Sequence, residues 1–379
     1  MNSIIKELNN LPFPVYLHSY SALDLFFRHD ASPCIKATVE VGLVELARTF
    51  PNLVYPGLDD GDAEVDFCGY TVRFRCIENI FKAPVNRISV LNIFYDVKNR
   101  KFLDPYSIYR DIRAKELRLI DNSAASISPE RITVPDPQNW KLLADSAVLI
   151  SRYHYNTPKF PLRPTTTSTE LSCREQKDLL IFILTGKNPL RGLNLLMNEG
   201  FMRIHWPEIE QMNTVPHSKD YHPEGNVWQH TMETFYHRKK NDLTLSLALL
   251  LHDVGKPLAQ QNEGRRFDRH AQIGNDLSKR FLRRLGFDSN IVENVAFLVK
   301  EHMFPPAVEK LPHFKTERVM SSTLFPLLLE IYRCDLSSAF RSLENYYKAC
   351  RVYRSFLKNS RNPFRTNDGR KLLRLYVEG

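Results

Sequence analysis

LALLLHDVGKP, residues 247–257, decides how the second half of this chain is read. An apolar run suited to a buried helix ends on an imidazole and a carboxylate side by side, His252 and Asp253. A His–Asp pair can serve only as satisfied polar groups at a helix terminus. It becomes half of a metal site if imidazoles and carboxylates from other helices meet it in space. The remaining histidines separate the two readings.

Further candidates recur in the same half of the chain. They are His230 in NVWQHTM, His270 in FDRHAQIG, His302 in LVKEHMFP and Asp335 in IYRCDLSS. Each lies within or at the end of an apolar stretch with helical spacing, where ionisable groups are rare. A lone histidine of this kind is usually a hydrogen-bonded core residue. Four histidines and two aspartates on successive helices are better explained by convergence in a bundle core. Imidazole nitrogen with carboxylate oxygen suits Mn, Ni, Co, Fe, Zn or Mg. A divalent ion is therefore expected.

The chain has 379 residues, enough for two or three domains, and a formal net charge of +9 from 52 Lys and Arg against 43 Asp and Glu. The excess is concentrated in HRKK (237–240), GRRF (264–267), SKRFLRRLGF (278–287) and the stretch 357–374, and it suits a phosphate-bearing partner such as RNA. Solvated helix faces explain the same runs equally well. Six cysteines are scattered without a CxxC pair, which points to free thiols rather than disulfides or zinc. No run has the apolar length of a membrane span, and the first residues do not resemble a signal peptide, so a cytoplasmic protein is expected.

Strand-like pieces dominate up to about residue 130: FPVYLH, NLVYPG, DFCGYTVRFRCI and RISVLNIFYDV, with GYTVRFRCI alternating apolar and polar. KATVEVGLVELARTF (36–50) reads as a helix between them. SISPERITVPDPQNW forms a connection rich in Pro and Ser, and from Trp140 the pattern turns helical through about Tyr353, with Thr169 or Ser172 capping one helix.

LALLLHDVGKP resembles the signature of the HD phosphohydrolase superfamily. By that resemblance His230, His252, Asp253 and Asp335 hold a divalent metal, and His270 and His302 are ligands for a second metal or for a phosphate. Gly255 lets the helix end, and Lys256 balances phosphate charge or covers the helix C-terminus. Asp253 and Lys256 are the expected catalytic residues: a metal-bound water has a lowered pKa, and Asp253 is suited to orient it. A phosphomonoester or cyclic phosphodiester is the implied substrate.

A second resemblance covers roughly Val15 to the C-terminus. YHPEGNVWQHT (221–231), the helical stretch LSCREQKDLLIFILTGKNPLRGLNLLMNEGFMRIHWPEI, and FLDPYSIYRDIRAKELRLI (102–120), where a DP turn leads into a helix and an LR strand, resemble bacterial CCA-adding enzymes, the tRNA nucleotidyltransferases. RISVLNIFYDV keeps that family's asparagine as Asn92. The implied fold is α+β: a degenerate nucleotidyltransferase-like mixed α/β domain (1–130), an all-α neck (131–215), an all-α HD domain (216–345) and a basic helical tail (346–379).

The transfer motifs depart from the family pattern. Ser19 and Tyr20 replace its paired glycines, and Leu23 replaces its arginine, although Asp24 remains. Pro33 and Ile35 stand in place of its metal-binding aspartates. Arg87–Ile88 replaces an Arg–Asp pair, and PDPQN (135–139) keeps only Asp136 of the charged residues of the nucleotide-reading motif. Two-metal phosphoryl transfer needs carboxylates for Mg²⁺ and glycines for close backbone approach, and an isoleucine cannot bind a cation. NPFRTNDGRKLLRLYVEG resembles only the start of a longer segment that grips tRNA, so a reduced grip is expected.

The favoured expectation is a metal-dependent phosphohydrolase acting on nucleotides, phosphorylated small molecules or RNA ends, with tRNA or other RNA as partner and no transfer activity. A non-catalytic RNA- or partner-binding scaffold is the alternative. An active tRNA nucleotidyltransferase would need other carboxylates, and the nearby acidic cluster LDDGDAEVD (58–66) reads as a turn.

Overall fold

A computed structural model describes residues 2–32, 34–55, 57, 62–80, 86–120, 139–162, 170–216, 225–259, 267–339 and 341–359. The chain divides into two compact units, Met1–Thr169 and Glu170–Gly379. Several expectations fall outside the described residues: Pro33, residues 58–61 of the acidic cluster, Asp136 with most of PDPQN, Thr169, residues 221–224, residues 264–266, and the tail from residue 360.

The first unit is mixed α and β, as expected. Its elements run α1 (Asn2–Asn9), β1 (Val15–His18), α2 (Ser19–Phe26), β2 (Cys34–Val39), α3 (Leu43–Thr49), β3 (Ala63–Phe67), β4 (Tyr70–Cys76), β5 (Phe94–Asp96), β6 (Lys101–Leu103), α4 (Tyr109–Ala114) and α5 (Asn139–Tyr153). The sheet has the order β3-β4-β2-β1-β5-β6, with β2 and β4 parallel and the other pairs antiparallel.

KATVEVGLVELARTF is not one helix. Lys36–Val39 belongs to β2, and helix begins only at Leu43 after Gly42. The strand lies between two neighbours, and β-branched Ile35, Thr38 and Val39 are buried there, so tertiary packing overrides the helical period. RISVLNIFYDV is likewise only partly strand, because Ser89–Asn92 is a 3₁₀ turn before β5. Asn92 holds that turn: its Nδ2 donates to the carbonyls of Asn86 (2.8 Å) and Ile88 (3.1 Å), and its Oδ1 accepts from Asn86 N–H (2.6 Å). NLVYPG and the LR segment contribute isolated bridges, Val54–Glu64 and Ile88–Leu119. The DP turn caps α4, because the Asp104 carboxylate accepts from Ile108 N–H (2.8 Å) and Tyr109 N–H (3.0 Å).

In the described part of the second unit every regular element is helical, apart from a Pro216–Asn226 bridge. The helices are α6 (Cys173–Leu184), α7 (Pro189–Asn198), α8 (Phe201–His205), α9 (Pro207–Glu210), α10 (Val227–Thr234), α11 (Leu243–Leu251), α12 (His270–Arg284), α13 (Ser289–Glu301), α14 (His313–Met320), α15 (Phe325–Ser338) and α16 (Glu344–Asn359). Ser172 caps α6 in a reciprocal capping box with Glu175. At the centre lies α11, buried on all sides from Leu245 to Leu251. A helix apolar all round belongs in a core, so its C-terminal end is carried into the interior. No described helix is long and apolar enough to cross a membrane.

Candidate metal centre

The end of α11 is where the decisive stretch places its polar pair. Asp242 opens the helix by accepting from Leu245 N–H at 2.8 Å, and His252 closes it. The last carbonyls of a helix lack partners within it. His252 answers this locally, with Nδ1 2.8 Å from the carbonyl of Leu249. The next residue, Asp253, is 2 % exposed.

Gly255 does something other than ending the helix. Its backbone is ordinary right-handed (φ −82°), so no left-handed cap is involved. A Cβ there would lie 2.1 Å from the carbonyl oxygen of His270 and 2.6 Å from the amide nitrogen of Gly274. The glycine lets the turn after Asp253 pack directly on the first turn of α12. That contact brings His270 to Asp253.

All six expected residues lie in one region, in two groups that share a carboxylate. His230, His252 and Asp253 present ligand atoms within 4.8 Å of one another, as do Asp253, His270 and His302. Asp253 Oδ2 lies 3.2 Å from Nε2 of His252 and 3.8 Å from Nε2 of His230. Its Oδ1 lies 3.6 Å from Nε2 of His270 and 3.9 Å from Nε2 of His302. Asp335 meets the first group at His230, with Oδ1 2.9 Å from Nε2.

The imidazoles share one orientation. His270 Nδ1 is 2.9 Å from the Phe267 carbonyl, and His302 Nδ1 is 2.7 Å from the Val299 carbonyl. His252 repeats the pattern with Leu249, and His230 Nδ1 faces Ser338 Oγ at 3.3 Å. A carbonyl accepts only, so Nδ1 carries the proton in three of the rings and Nε2 keeps a bare lone pair. These lone pairs point at Asp253 and at each other; Nε2 of His270 and of His302 are 3.2 Å apart. The buried Nε2 of His252 has no hydrogen-bond partner among the described residues. Lone pairs converging on carboxylate oxygens need a cation or a proton between them, and this donor set fits a divalent metal.

Both carboxylates of the centre are held in the ionised form. Burial alone would raise the Asp253 carboxyl, but the charges of His252, Lys256 and His230 outweigh it and hold it well below the usual range. Burial likewise opposes ionisation of Asp335, and the hydrogen bond and charge of His230 pull it down regardless. Burial, with His252 adding to it, pushes His302 down to about 3, and burial also lowers His270. Lys256 Nζ sits 2.6 Å from Asp253 Oδ2 and 5.5 Å from the Phe267 ring.

The sharing of Asp253 between the groups and the tethering of Nδ1 are not legible in spacing. Neither is Phe267, which holds His270 through its carbonyl and covers Lys256 with its ring. It adopts a left-handed backbone (φ 62°), which a bulky non-glycine residue rarely does.

In the first unit, Asp24 is fully buried and clamped. Arg152 donates from Nε to Oδ1 (2.7 Å) and from Nη2 to Oδ2 (3.0 Å), the Tyr153 hydroxyl donates to Oδ1 (2.8 Å), and Ser32 N–H donates to Oδ2 (3.2 Å). Tyr20 is buried with its hydroxyl on Asp145, and Ile35 is fully buried. The described acids of the 58–66 cluster serve the β3–β4 hairpin: Asp62 accepts from Cys76 N–H, Glu64 pairs with Arg73, and Asp66 accepts from Thr71.

Residues 226–328, which span all of these candidate ligands except Asp335, match the family described as HD domain. The second unit carries an HD domain. The chain also resembles curated tRNA nucleotidyltransferases. It is 33 % identical over 142 residues to the CC-adding tRNA nucleotidyltransferase of Thermus thermophilus, covering 35 % of this chain and 32 % of that protein. It is 26 % identical over 228 residues to the A-adding tRNA nucleotidyltransferase of Deinococcus radiodurans, covering 54 % of this chain and 48 % of the relative. The matched parts thus span about a third and about half of those relatives. The Bacillus stearothermophilus CCA-adding enzyme in complex with CTP superposes loosely, with TM-score 0.48 and 14 % identity, over 96 % of this chain and 84 % of that one. The low identities fit a divergent relative of these enzymes whose HD domain retains a cluster of candidate metal ligands.

Proposed function

We infer that the HD domain is a metal-dependent phosphohydrolase acting on phosphomonoesters or 2′,3′-cyclic phosphodiesters of nucleotides or RNA ends in the cytoplasm. The observation that carries this reading is the convergence of four Nε2 atoms on Asp253, with Nδ1 of three of those rings turned to backbone carbonyls. His230, His252, Asp253 and Asp335 would hold one divalent ion, and His270 and His302 would hold a second or receive the substrate phosphate. When bound, such an ion supplies Lewis acidity toward a phosphoryl oxygen and activates water near neutral pH. Asp253 remains ionised, so it can orient the attacking water and accept its proton. Lys256, on Asp253 Oδ2, offers its ammonium to phosphate charge on the same side.

Nucleotide transfer is absent on this reading. The surviving carboxylate of that motif, Asp24, is consumed by Arg152, Tyr153 and Ser32, and it has no free oxygen to offer Mg²⁺. The first unit, with residues 1–130 as its nucleotidyltransferase-like part, would serve RNA or nucleotide binding. Residues 131–215 would be the neck, 216–345 the HD domain and 346–379 a basic tail.

Elemental analysis of the purified chain, paired with phosphatase and 2′,3′-cyclic nucleotide assays supplemented with Mn, Ni, Co or Mg, tests the proposal. One or two equivalents of metal with turnover is the expected result. No metal and no turnover would reject it in favour of a binding scaffold.

A further inference from the structure

Four imidazoles face this centre, and three fix their own tautomer. His252, His270 and His302 each stand within a turn's reach of a backbone carbonyl three residues earlier, and Nδ1 uses it. The carbonyls of Leu249 and Val299 lie in the last turn of their helices, where partners are lacking, whereas Phe267 precedes α12 and its carbonyl also accepts from His270 N–H. His230 is placed differently. It lies within α10, and its side chain is fully buried.

The atom facing its Nδ1 comes from another helix. Ser338, fully buried at the end of α15, sets Oγ 3.3 Å from His230 Nδ1. The same hydroxyl donates its proton to the carbonyl of Asp335 at 2.8 Å. A serine hydroxyl has one proton and two lone pairs. With the proton committed to Asp335, Oγ can only accept from His230. His230 is then held with Nδ1–H toward Ser338 and Nε2 toward Asp335 and Asp253.

We propose that Ser338 is the positioning residue of the metal centre: it fixes the tautomer and ring angle of His230 so that Nε2 stays open to a divalent ion. One turn of α15 thus supplies both a carboxylate ligand, Asp335, and the partner that orients the imidazole beside it. The proposal rests on the metal-centre reading above and adds a residue that touches neither ion nor substrate. Outer-sphere partners of ligating histidines raise metal affinity by holding the ring in place.

The test uses the full chain stripped of metal, with Co²⁺ as the probe and affinity read by competition with a chromogenic chelator. Ser338→Ala removes the acceptor. Ser338→Cys fills nearly the same space with a weak acceptor, so it guards against a folding defect. Ser338→Thr restores the hydroxyl. Both S338A and S338C are expected to weaken Co²⁺ binding about 10–100-fold, with S338T within about threefold of wild type. Ser278→Ala is the control, because Ser278 is equally buried on α12 and its Oγ has no hydrogen-bond partner among the described residues. It should bind Co²⁺ as wild type does. Wild-type affinity in folded S338A or S338C overturns the proposal, and so does an equal loss in S278A. A wild-type chain that binds no Co²⁺ rejects the metal centre itself, which is a separate outcome.

Discussion

Replacing Gly255 by alanine tests whether the centre depends on direct backbone contact between the turn after Asp253 and α12. The new Cβ would stand 2.1 Å from the His270 carbonyl oxygen and 2.6 Å from the Gly274 nitrogen, where ordinary contact begins at 3.4 Å. Both obstacles are main chain, so no side chain can swing aside; the turn and the helix must separate by more than an ångström. On its far side α12 packs closely on α13, since a Cβ added at Gly274 would lie 3.1 Å from Val299 Cγ1. His270 moves with its backbone, and its Nε2, now 3.6 Å from Asp253 Oδ1, leaves the second ligand group. Overpacking of this kind costs about 1–3 kcal/mol. For a unit of this size that corresponds to a melting shift of about 2–4 °C per kcal/mol. A displacement of about 1 Å at a catalytic group lowers rate about a hundredfold. Calorimetry, metal stoichiometry and the phosphatase assay read the three effects together. Gly42→Ala is the comparison: no atom lies within 4 Å of its Cβ, and the backbone is extended at φ −74°, so all three readouts should stay unchanged. A Gly255→Ala chain with wild-type melting, metal content and turnover would refute the close-approach argument.

Three other outcomes follow from the geometry. His252→Ala and Asp253→Ala should each lose bound metal and more than about a hundredfold of hydrolysis, beyond what removing an outer-sphere partner costs. Circular dichroism should show the helices intact, and wild-type turnover in either variant would sink the site. Asp24→Ala should leave hydrolysis unchanged while destabilising the first unit by about 3–5 kcal/mol, because it strands a buried guanidinium. The paired replacement Asp24→Leu with Arg152→Met should recover most of that loss, and denaturant melts of the single and double variants decide it. His205 is 3 % exposed, accepts from Leu171 N–H at 3.2 Å, and has its pKa lowered by burial. The unfolded chain therefore takes up a proton that the folded one refuses. The contribution of His205 is whole above about pH 6.5 and declines below it, by at most about 1.4 kcal/mol per unit. His205→Gln should melt with a shallower acid dependence than wild type, and identical slopes would rule the effect out.

The helical half was legible because its signals are local. An apolar run, a capping residue such as Ser172, and ionisable residues breaking an apolar pattern are all visible without knowing the fold. The sheet was less so. Lys36–Val39 carries a helix-compatible period, yet it becomes a strand because β1 and β4 flank it and bury its β-branched side chains. No reading along the chain contains that information. The site shows the same division. Its six polar residues were readable, but Ser338 and the carbonyls of Leu249, Phe267 and Val299 were not, since a serine or a main-chain oxygen carries no sequence signal of its task.

Two carboxylates, Asp24 and Asp253, have opposite fates in the structure. Asp24 and Asp253 are both buried beside cationic side chains. Around Asp24 the partners are a guanidinium, a phenol and an amide, which between them occupy both oxygens. Burial raises its carboxyl despite Arg152, as expected of a pair kept for placement rather than stability. Around Asp253 the neighbours are imidazoles whose protons point away, with Lys256 on Oδ2 and bare nitrogens on either side. One carboxylate is saturated by donors, and the other has a single donor, Lys256, among imidazole nitrogens. Only the second arrangement suits a divalent cation, which is why the proposed chemistry is placed in the HD domain.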